Sequence, residues 1–169
     1  MRLTPITLND LATLRDLAIR TYSAAFASKN APGVIERYYE DAFAKANLNK
    51  QLSNPDSYWY FYKEKDEILG YLKLNTSNAQ TEFQEENGLE VERIYIDIPH
   101  LGKGYGSELI EFSISKAKEL EKNYIWLGVW EENPEAIKFY KRHGFKIVGT
   151  HDYDMIAEIQ TDYIMRLDL

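Results

Sequence analysis

The sequence contains no cysteine and no long hydrophobic run. Without cysteine there are no disulfides, no thiolate ligands for a metal ion and no cysteine nucleophile. No apolar stretch approaches the roughly 20 residues that a membrane-spanning helix needs, and no apolar segment of a signal peptide is visible near the start. We therefore expect a protein of the cytoplasm that neither enters a membrane nor relies on thiol chemistry.

Positive charge is also scarce, because 20 Lys and Arg residues stand against 27 Asp and Glu residues, a formal net charge of -7. A general nucleic-acid binder carries a basic surface, so direct contact with nucleic acid is not expected. An acidic surface suits a cationic small molecule as partner, although it also serves solubility alone. The three histidines, His100, His143 and His151, show no spacing typical of metal ligands, so we expect no metal ion.

Hydrophobic residues make up 44% of the 169 residues, which is sufficient for a single domain spanning residues 1–169. Periodic apolar positions predict helices over residues 11–25, 34–52, 107–122 and 134–143, the second with a break near Asn47. Alternating and aromatic segments predict strands over residues 2–6, 57–63, 67–75, 89–98, 124–130, 145–153 and 158–168. Neighbouring strands interrupted by helical crossovers indicate an α/β fold, with a mixed sheet covered by helices and no doubly wound nucleotide-binding arrangement.

A glycine-rich loop, residues 101–107 (LGKGYGS), follows a predicted strand and opens a predicted helix. Glycine lets the backbone approach a bulky anion, and the first amides of a helix point outward without partners inside it. These features favour a pyrophosphate site, although a tight turn alone also uses glycine. The spacing fits neither a Walker loop nor a dinucleotide-binding fingerprint, which excludes these two phosphate-binding motifs.

Residues 90–109 (EVERIYIDIPHLGKGYGSEL) resemble the acetyl-CoA signature of the GNAT N-acetyltransferase superfamily, a strand followed by Gln/Arg-x-x-Gly-x-Gly/Ala. Gly104 and Gly106 occupy the two small positions, whereas Leu101 stands where the family has Gln or Arg. Residues 133–145 (NPEAIKFYKRHGF) resemble a second block, Asn-x-x-Ala-x-x-x-Tyr-x-x-x-Gly-Phe. The resemblance implies a GNAT-type fold, with a mostly antiparallel sheet and helices on both faces, acetyl-CoA as cosubstrate and an amine as acceptor.

The same resemblance implies where the cofactor binds. Main-chain groups of one strand are implied to contact the pantetheine arm: Ile94, Tyr95 and Ile96. Backbone amides of the loop are implied to hold the pyrophosphate: Gly102, Lys103, Gly104, Tyr105, Gly106 and Ser107. Lys103 adds a charge contact to phosphate, and the amide of Ile96 polarises the thioester carbonyl. Asn133 is implied to hydrogen-bond the cofactor, although its place before a helix also suits an N-cap.

Tyr140 is the candidate general acid, and it lies in the second matched block. A phenol with a pKa near ~10 can protonate a departing thiolate whose conjugate acid has a pKa near ~8.5. The alternative is that the ring of Tyr140 only packs in the core, beside Ile137 and Phe139.

Glu92 is the candidate general base, because an alkylammonium group must lose a proton before it can attack. In a strand, Glu90 and Glu92 share one face, opposite to Arg93 and Tyr95, and can line a cleft. Glu92 can equally bind the cationic substrate or belong to a solvated strand face. Further acids suit either a linear polycation or a solubilising surface: Glu82, Glu85, Glu86, Asp152, Asp154, Glu158 and Asp162.

Residues 90–96, 125–131 and 160–165 are similar to PaiA-type bacterial spermidine/spermine N-acetyltransferases. This resemblance implies that the acceptor is a polyamine. Two alternatives stay open: acetylation of a protein N-terminus or lysine, and a regulatory protein that binds acetyl-CoA without significant turnover. A homodimer is the oligomeric state that we consider.

Overall fold

The computed structural model describes residues 2–29, 33–155 and 158–169, and the side chains of residues 29, 153–155, 158 and 159 lie outside that description. Its helices are α1 (Leu11–Phe26), α2 (Val34–Ala42), α3 (Lys45–Leu52), α4 (Tyr105–Glu119) and α5 (Pro134–Arg142). Its strands are β1 (Leu3–Pro5), β2 (Ser57–Glu64), β3 (Glu67–Asn75), β4 (Gly88–Ile96), β5 (Tyr124–Trp130), β6 (Lys146–Met155) and β7 (Glu158–Asp168). Every predicted element is present, with boundaries shifted by a few residues.

The strands follow the order β1-β2-β3-β4-β5-β7-β6. The β4–β5 pair is parallel, whereas β1–β2, β5–β7 and β6–β7 are antiparallel. This mixed, mostly antiparallel sheet with helices confirms the predicted α/β class. None of the helices in the described residues is long and apolar enough to cross a membrane.

The chain forms two compact units, and β4 contributes to both. The first unit comprises the residues up to Leu74 together with Arg93–Leu109. The second comprises Asn75–Glu92 and Ile110–Leu169. The glycine-rich loop therefore belongs to the first unit, whereas Glu92, Asn133 and Tyr140 belong to the second.

An aromatic cluster forms the core of the first unit. Tyr22 of α1 stacks on Tyr38 of α2 with 4.4 Å between ring centroids, and Phe43 packs edge-on against Tyr22. Tyr95 of β4 joins this cluster and stacks on Tyr71 of β3 at 5.5 Å. Burial of each large ring contributes about 1.5–3 kcal/mol, so the cluster fastens the helices to the strands that precede the loop.

The second predicted helix divides at Phe43, earlier than the predicted break near Asn47. Phe43 is fully buried, and its carbonyl oxygen accepts a hydrogen bond from Arg15 Nε at 2.8 Å. Ala44 is extended and is the N-cap residue before α3, while Asn47 Nδ2 donates to the Asp41 carbonyl at 3.2 Å across the break. Burial of the Phe43 ring therefore sets the position of the break. Arg15 supplies the hydrogen bond that the Phe43 carbonyl lacks where the helix ends.

Candidate functional site

The loop that joins β4 to α4 uses two glycines in the left-handed backbone region. Gly102 has a φ of 75° and Gly104 a φ of 86°, values that side-chain-bearing residues rarely adopt. A Cβ added at either glycine would meet no atom of the described residues within 4 Å, apart from its chain neighbours. On the side where a Cβ would stand, the described residues therefore leave Gly102 and Gly104 open to a ligand.

Backbone amides line this open face. α4 begins at Tyr105, two residues before its predicted start, so Tyr105 and Gly106 belong to its first turn. None of the described residues accepts a hydrogen bond from the amides of residues 102–106. The amide of Ser107 differs, because it donates to the Gly104 carbonyl at 3.0 Å. The available donors are thus concentrated just before Ser107, at the positive end of the helix dipole.

Asp97 fixes the point where β4 ends and the loop begins. Its Oδ2 accepts hydrogen bonds from Arg20 Nη2 at 2.7 Å and Nε at 3.0 Å, and its Oδ1 accepts from the amide of Ile98. The Arg20 guanidinium lowers the pKa of Asp97, so the carboxylate stays charged. The amide of Asp97 donates a hydrogen bond to the Leu69 carbonyl at 2.8 Å, which ties the start of the loop to β3.

A second network fixes the first turn of α4. Arg2 Nη1 donates to Glu108 Oε1 at 3.0 Å, and the Tyr62 hydroxyl donates to Glu108 Oε2 at 2.7 Å. Arg2 also pairs with Glu64, and the Tyr105 ring lies 5.3 Å from that of Tyr62. Arg2 therefore offsets the charge of Glu108, which would otherwise repel an anion bound at the helix start.

Close approach between β3 and β4 shapes the strand that precedes the loop. A Cβ on Gly70 would lie 2.3 Å from the Tyr95 carbonyl oxygen and 2.8 Å from Cδ1 of Ile96. Only glycine fits there, because real Cβ atoms do not approach a backbone oxygen so closely. Of the predicted pantetheine contacts, Tyr95 has its side chain anchored in the aromatic cluster, so its main chain is the part left for a cofactor.

Tyr140 lies on α5 and is almost fully buried, at 9% exposure. Its ring packs against Phe139 and Phe145, with centroids 5.2 and 5.8 Å away. Burial raises the pKa of Tyr140 above its ordinary value, so the hydroxyl stays protonated at neutral pH. Core packing of the ring is confirmed, and it leaves the hydroxyl proton available for an acid role. The Tyr140 hydroxyl has no hydrogen-bond partner among the described residues.

Asn133 caps α5. Its Oδ1 accepts a hydrogen bond from the amide of Ala136 at 3.3 Å, so the predicted N-cap is confirmed. Its proposed contact with the cofactor stays a prediction.

Glu90 and Glu92 lie together on one face of β4, as the strand pattern predicts. Both carboxylates accept hydrogen bonds from Nδ2 of Asn75, the last residue of β3. Glu90 is buried, and burial together with the charge of Glu92 raises the pKa of Glu90 to about 7. Arg93, on the opposite face, stacks on Phe43 at 4.9 Å. Sequence reasoning missed Asn75, and its place at the end of a strand opposite two glutamates is the signal that would have found it.

Other predicted acids lie along the segment after β3 and on the C-terminal hairpin. Glu82 Oε1 lies 2.5 Å from His151 Nδ1, and Glu85 accepts a hydrogen bond from the Tyr124 hydroxyl at 2.7 Å. Burial raises the pKa of Asp162 to about 6, partly offset by His151. The side chains of Asp154 and Glu158 lie outside the described residues. Where the structure describes side chains, no group of three or more His, Asp or Glu residues is arranged to hold a metal ion.

Comparison with known proteins agrees with this geometry. The model of the acetyltransferase (GNAT) family matches residues 12–145. An uncharacterised N-acetyltransferase of Lactobacillus delbrueckii subsp. lactis is 32% identical over 166 residues, which cover 98% of this chain and 96% of that protein. The crystal structure of PaiA N-acetyltransferase from Thermoplasma acidophilum in complex with coenzyme A is similar in fold, with a TM-score of 0.79 over both whole chains and 21% identity.

Two relatives with named acceptors match shorter stretches. The spermine/spermidine N(1)-acetyltransferase of Bacillus subtilis is 34% identical over 94 residues, which cover 55% of this chain and 61% of that protein. The peptidyl-lysine N-acetyltransferase of Escherichia coli is 31% identical over 100 residues, which cover 59% of this chain and 56% of that protein. The two relatives act on different amines, so these matches leave the acceptor of this chain undecided.

Proposed function

Because the chain belongs to the acetyltransferase (GNAT) family, we propose that it moves an acetyl group from acetyl-CoA to a primary amine of a polyamine such as spermidine or spermine. Family membership confirms the expected acetyl-CoA-dependent N-acetyltransferase, and the polyamine is the proposed part. The observation that carries the transfer from acetyl-CoA is the loop at Gly102 and Gly104, because the amides of residues 102–106 have no acceptor among the described residues.

The residues present fit the cosubstrate. In the proposal, the amides of residues 102–106 bind the pyrophosphate, Lys103 adds a positive charge, and the main chain of residues 94–96 contacts the pantetheine arm. Ser107 contributes less, because its amide already donates to Gly104. Bound acetyl-CoA supplies the activated acetyl thioester. The amide of Ile96 is proposed to stabilise negative charge on the thioester oxygen, and Asn133 to donate a hydrogen bond to the cofactor.

Two side chains are proposed to move protons. Glu92 accepts a proton from the ammonium group of the acceptor, which frees the nitrogen lone pair for attack. Tyr140 donates its phenolic proton to the departing thiolate. Burial raises the pKa of Tyr140, so the hydroxyl carries its proton at neutral pH before the thiolate departs.

Spread negative charge supports a polyamine as acceptor. The acids of the second unit are separated along the segment after β3 and along the C-terminal hairpin, at Glu82, Glu85, Asp152 and Asp162. A linear polycation gains from carboxylates spaced along its length, whereas a single lysine presents one ammonium group. The match to the Bacillus subtilis enzyme supports the same acceptor class. The match to the Escherichia coli enzyme favours a lysine side chain as the second candidate.

The acceptor is tested by measuring thiol release from acetyl-CoA with spermidine, with spermine and with a lysine-containing peptide. A peptide carrying arginine in place of lysine is the matched control. We expect kcat/KM to be at least about tenfold higher with a polyamine than with the lysine peptide, a difference of about 1.4 kcal/mol. Release with the lysine peptide alone would contradict the polyamine and favour the second candidate. Tight binding of acetyl-CoA without release would favour a regulatory protein.

We further propose that both compact units belong to one acetyltransferase domain, since the family model spans residues of each. A cytoplasmic location and a homodimer stay predictions. The absence of cysteine supports a reducing compartment, and gel filtration with light scattering measures the oligomeric state.

A further inference from the structure

Two carboxylates of β4 share one buried amide within the second unit. Asn75 Nδ2 lies 2.9 Å from Glu90 Oε2 and 2.5 Å from Glu92 Oε2. An amide nitrogen carries two N–H donors, so each carboxylate receives one of them. Asn75 therefore fixes the carboxylate of Glu92 at a set position relative to that of Glu90.

Glu90 is more firmly held than Glu92. It is 3% exposed, and it accepts further hydrogen bonds from the amide of Thr81 at 2.9 Å and from the Thr81 hydroxyl. Glu92 is half-buried and retains access to solvent. A carboxylate as enclosed as Glu90 has little access to an acceptor, so its effect on one must pass through Glu92.

We propose that Glu90 is a positioning residue for the base Glu92: through Asn75 it orients the Glu92 carboxylate, and by its negative charge it strengthens the affinity of that carboxylate for a proton. The inference rests on the proposed function, in which a proton passes from the acceptor ammonium to a Glu92 oxygen and the electron pair stays on nitrogen. Two like charges this close repel, and uptake of a proton by either one relieves the repulsion.

Among the described residues, Glu92 is the ionisable group that acts on Glu90. β3 contributes the neutral Asn75, the segment after β3 contributes the neutral Thr81, and β5 contributes Trp126, which pairs with Glu90 in register. Burial, followed by the charge of Glu92, raises the pKa of Glu90 to about 7. The pair therefore gains or loses a proton in the neutral range, in which a general base for an amine is effective.

The test is the pH dependence of kcat/KM for the amine between about pH 5.5 and 9.5, expressed per ammonium form, since that is the form from which Glu92 takes the proton. The wild type is expected to lose activity as the pH falls through about 7, where Glu90 takes up its proton. In Glu90→Gln, we expect this inflection to move down by about one pH unit or more, and the plateau to fall about 3- to 10-fold. Thr81→Ala removes a donor that favours charged Glu90, so the inflection should move up instead.

If the inflection moves to lower pH in Glu90→Gln and to higher pH in Thr81→Ala, Glu90 is a positioning residue. A purely structural role would leave both inflections at the pH of the wild type. Thr81 is exposed, so its variant keeps the test valid if Glu90→Gln unfolds in a thermal melt. Glu119→Gln is the matched control, because Glu119 is exposed on α4, pairs with Lys116 and should leave the profile unchanged. Profiles of Glu90→Gln and Thr81→Ala that coincide with wild type would overturn the inference while leaving the proposed function intact.

Glu92→Gln tests the base itself, whereas Glu90→Gln tests the residue that positions it. We expect Glu92→Gln to lose the inflection and about 100-fold in kcat/KM. A wild-type profile in Glu92→Gln would overturn both the base role and the inference. A wild type without amine-dependent thiol release would overturn the proposed function and the inference with it.

Discussion

Replacing Tyr140 with Phe is expected to lower kcat about 100-fold or more, while the Kd for CoA stays within about twofold of wild type. Phe keeps the ring that packs against Phe139 and Phe145 and removes only the hydroxyl. The loss therefore falls on protonation of the thiolate, with little effect on binding. Steady-state thiol release and a calorimetric CoA titration on the same preparation measure the two quantities.

Tyr124→Phe is the matched control for this variant. Tyr124 is also a buried tyrosine of the second unit, and its hydroxyl donates to Glu85. Its removal is expected to change kcat by less than about twofold, because general-acid catalysis requires a donor at the leaving group. Equal turnover in Tyr140→Phe and wild type would remove Tyr140 from the acid role. Because burial raises the pKa of Tyr140, the wild type should show no alkaline loss of the acid below about pH 10.

Replacing Gly104 with Ala is expected to weaken CoA binding about tenfold or more, about 1.4 kcal/mol. The substitution has two effects: the left-handed backbone at 86° becomes strained, and the new methyl group enters open space that the ligand is proposed to occupy. The strain alone costs about 1–2 kcal/mol of stability. Calorimetric titration with CoA gives the affinity, and chemical denaturation gives the free energy of unfolding.

Gly33→Ala separates the two effects. Gly33 has a φ of 88° and caps α2, and an added Cβ would likewise meet no atom of the described residues within 4 Å. It should lose similar stability and keep wild-type CoA affinity, because it lies outside the loop. If Gly104→Ala also kept wild-type affinity, the glycine-rich loop would not be the pyrophosphate site.

Local sequence patterns predicted the features that depend on neighbouring residues. The cap at Asn133, the glycine-rich loop and the shared face of Glu90 and Glu92 follow from residue type and spacing over a few positions. Each is visible in a single sequence because glycine, helix caps and strand alternation act over short range.

Features that depend on distant partners were not predictable in this way. The break at Phe43 depends on Arg15, 28 residues earlier, and the environment of Glu90 depends on Asn75, 15 residues earlier. The close contact between Gly70 and the Tyr95 carbonyl was likewise not predictable, because it depends on how β3 and β4 meet. The strand pattern placed Glu90 beside the candidate base, but nothing in the pattern showed that it is buried or that it shares an amide with Glu92.

The central claim is that the amides at the start of α4 bind the pyrophosphate of acetyl-CoA, and titration calorimetry of the folded wild-type protein with CoA tests it most directly. We predict saturable binding of one CoA per chain with a Kd in the micromolar range, about -8 kcal/mol. No detectable binding of CoA or acetyl-CoA at about millimolar concentration, where even -4 kcal/mol would be visible, would contradict the account.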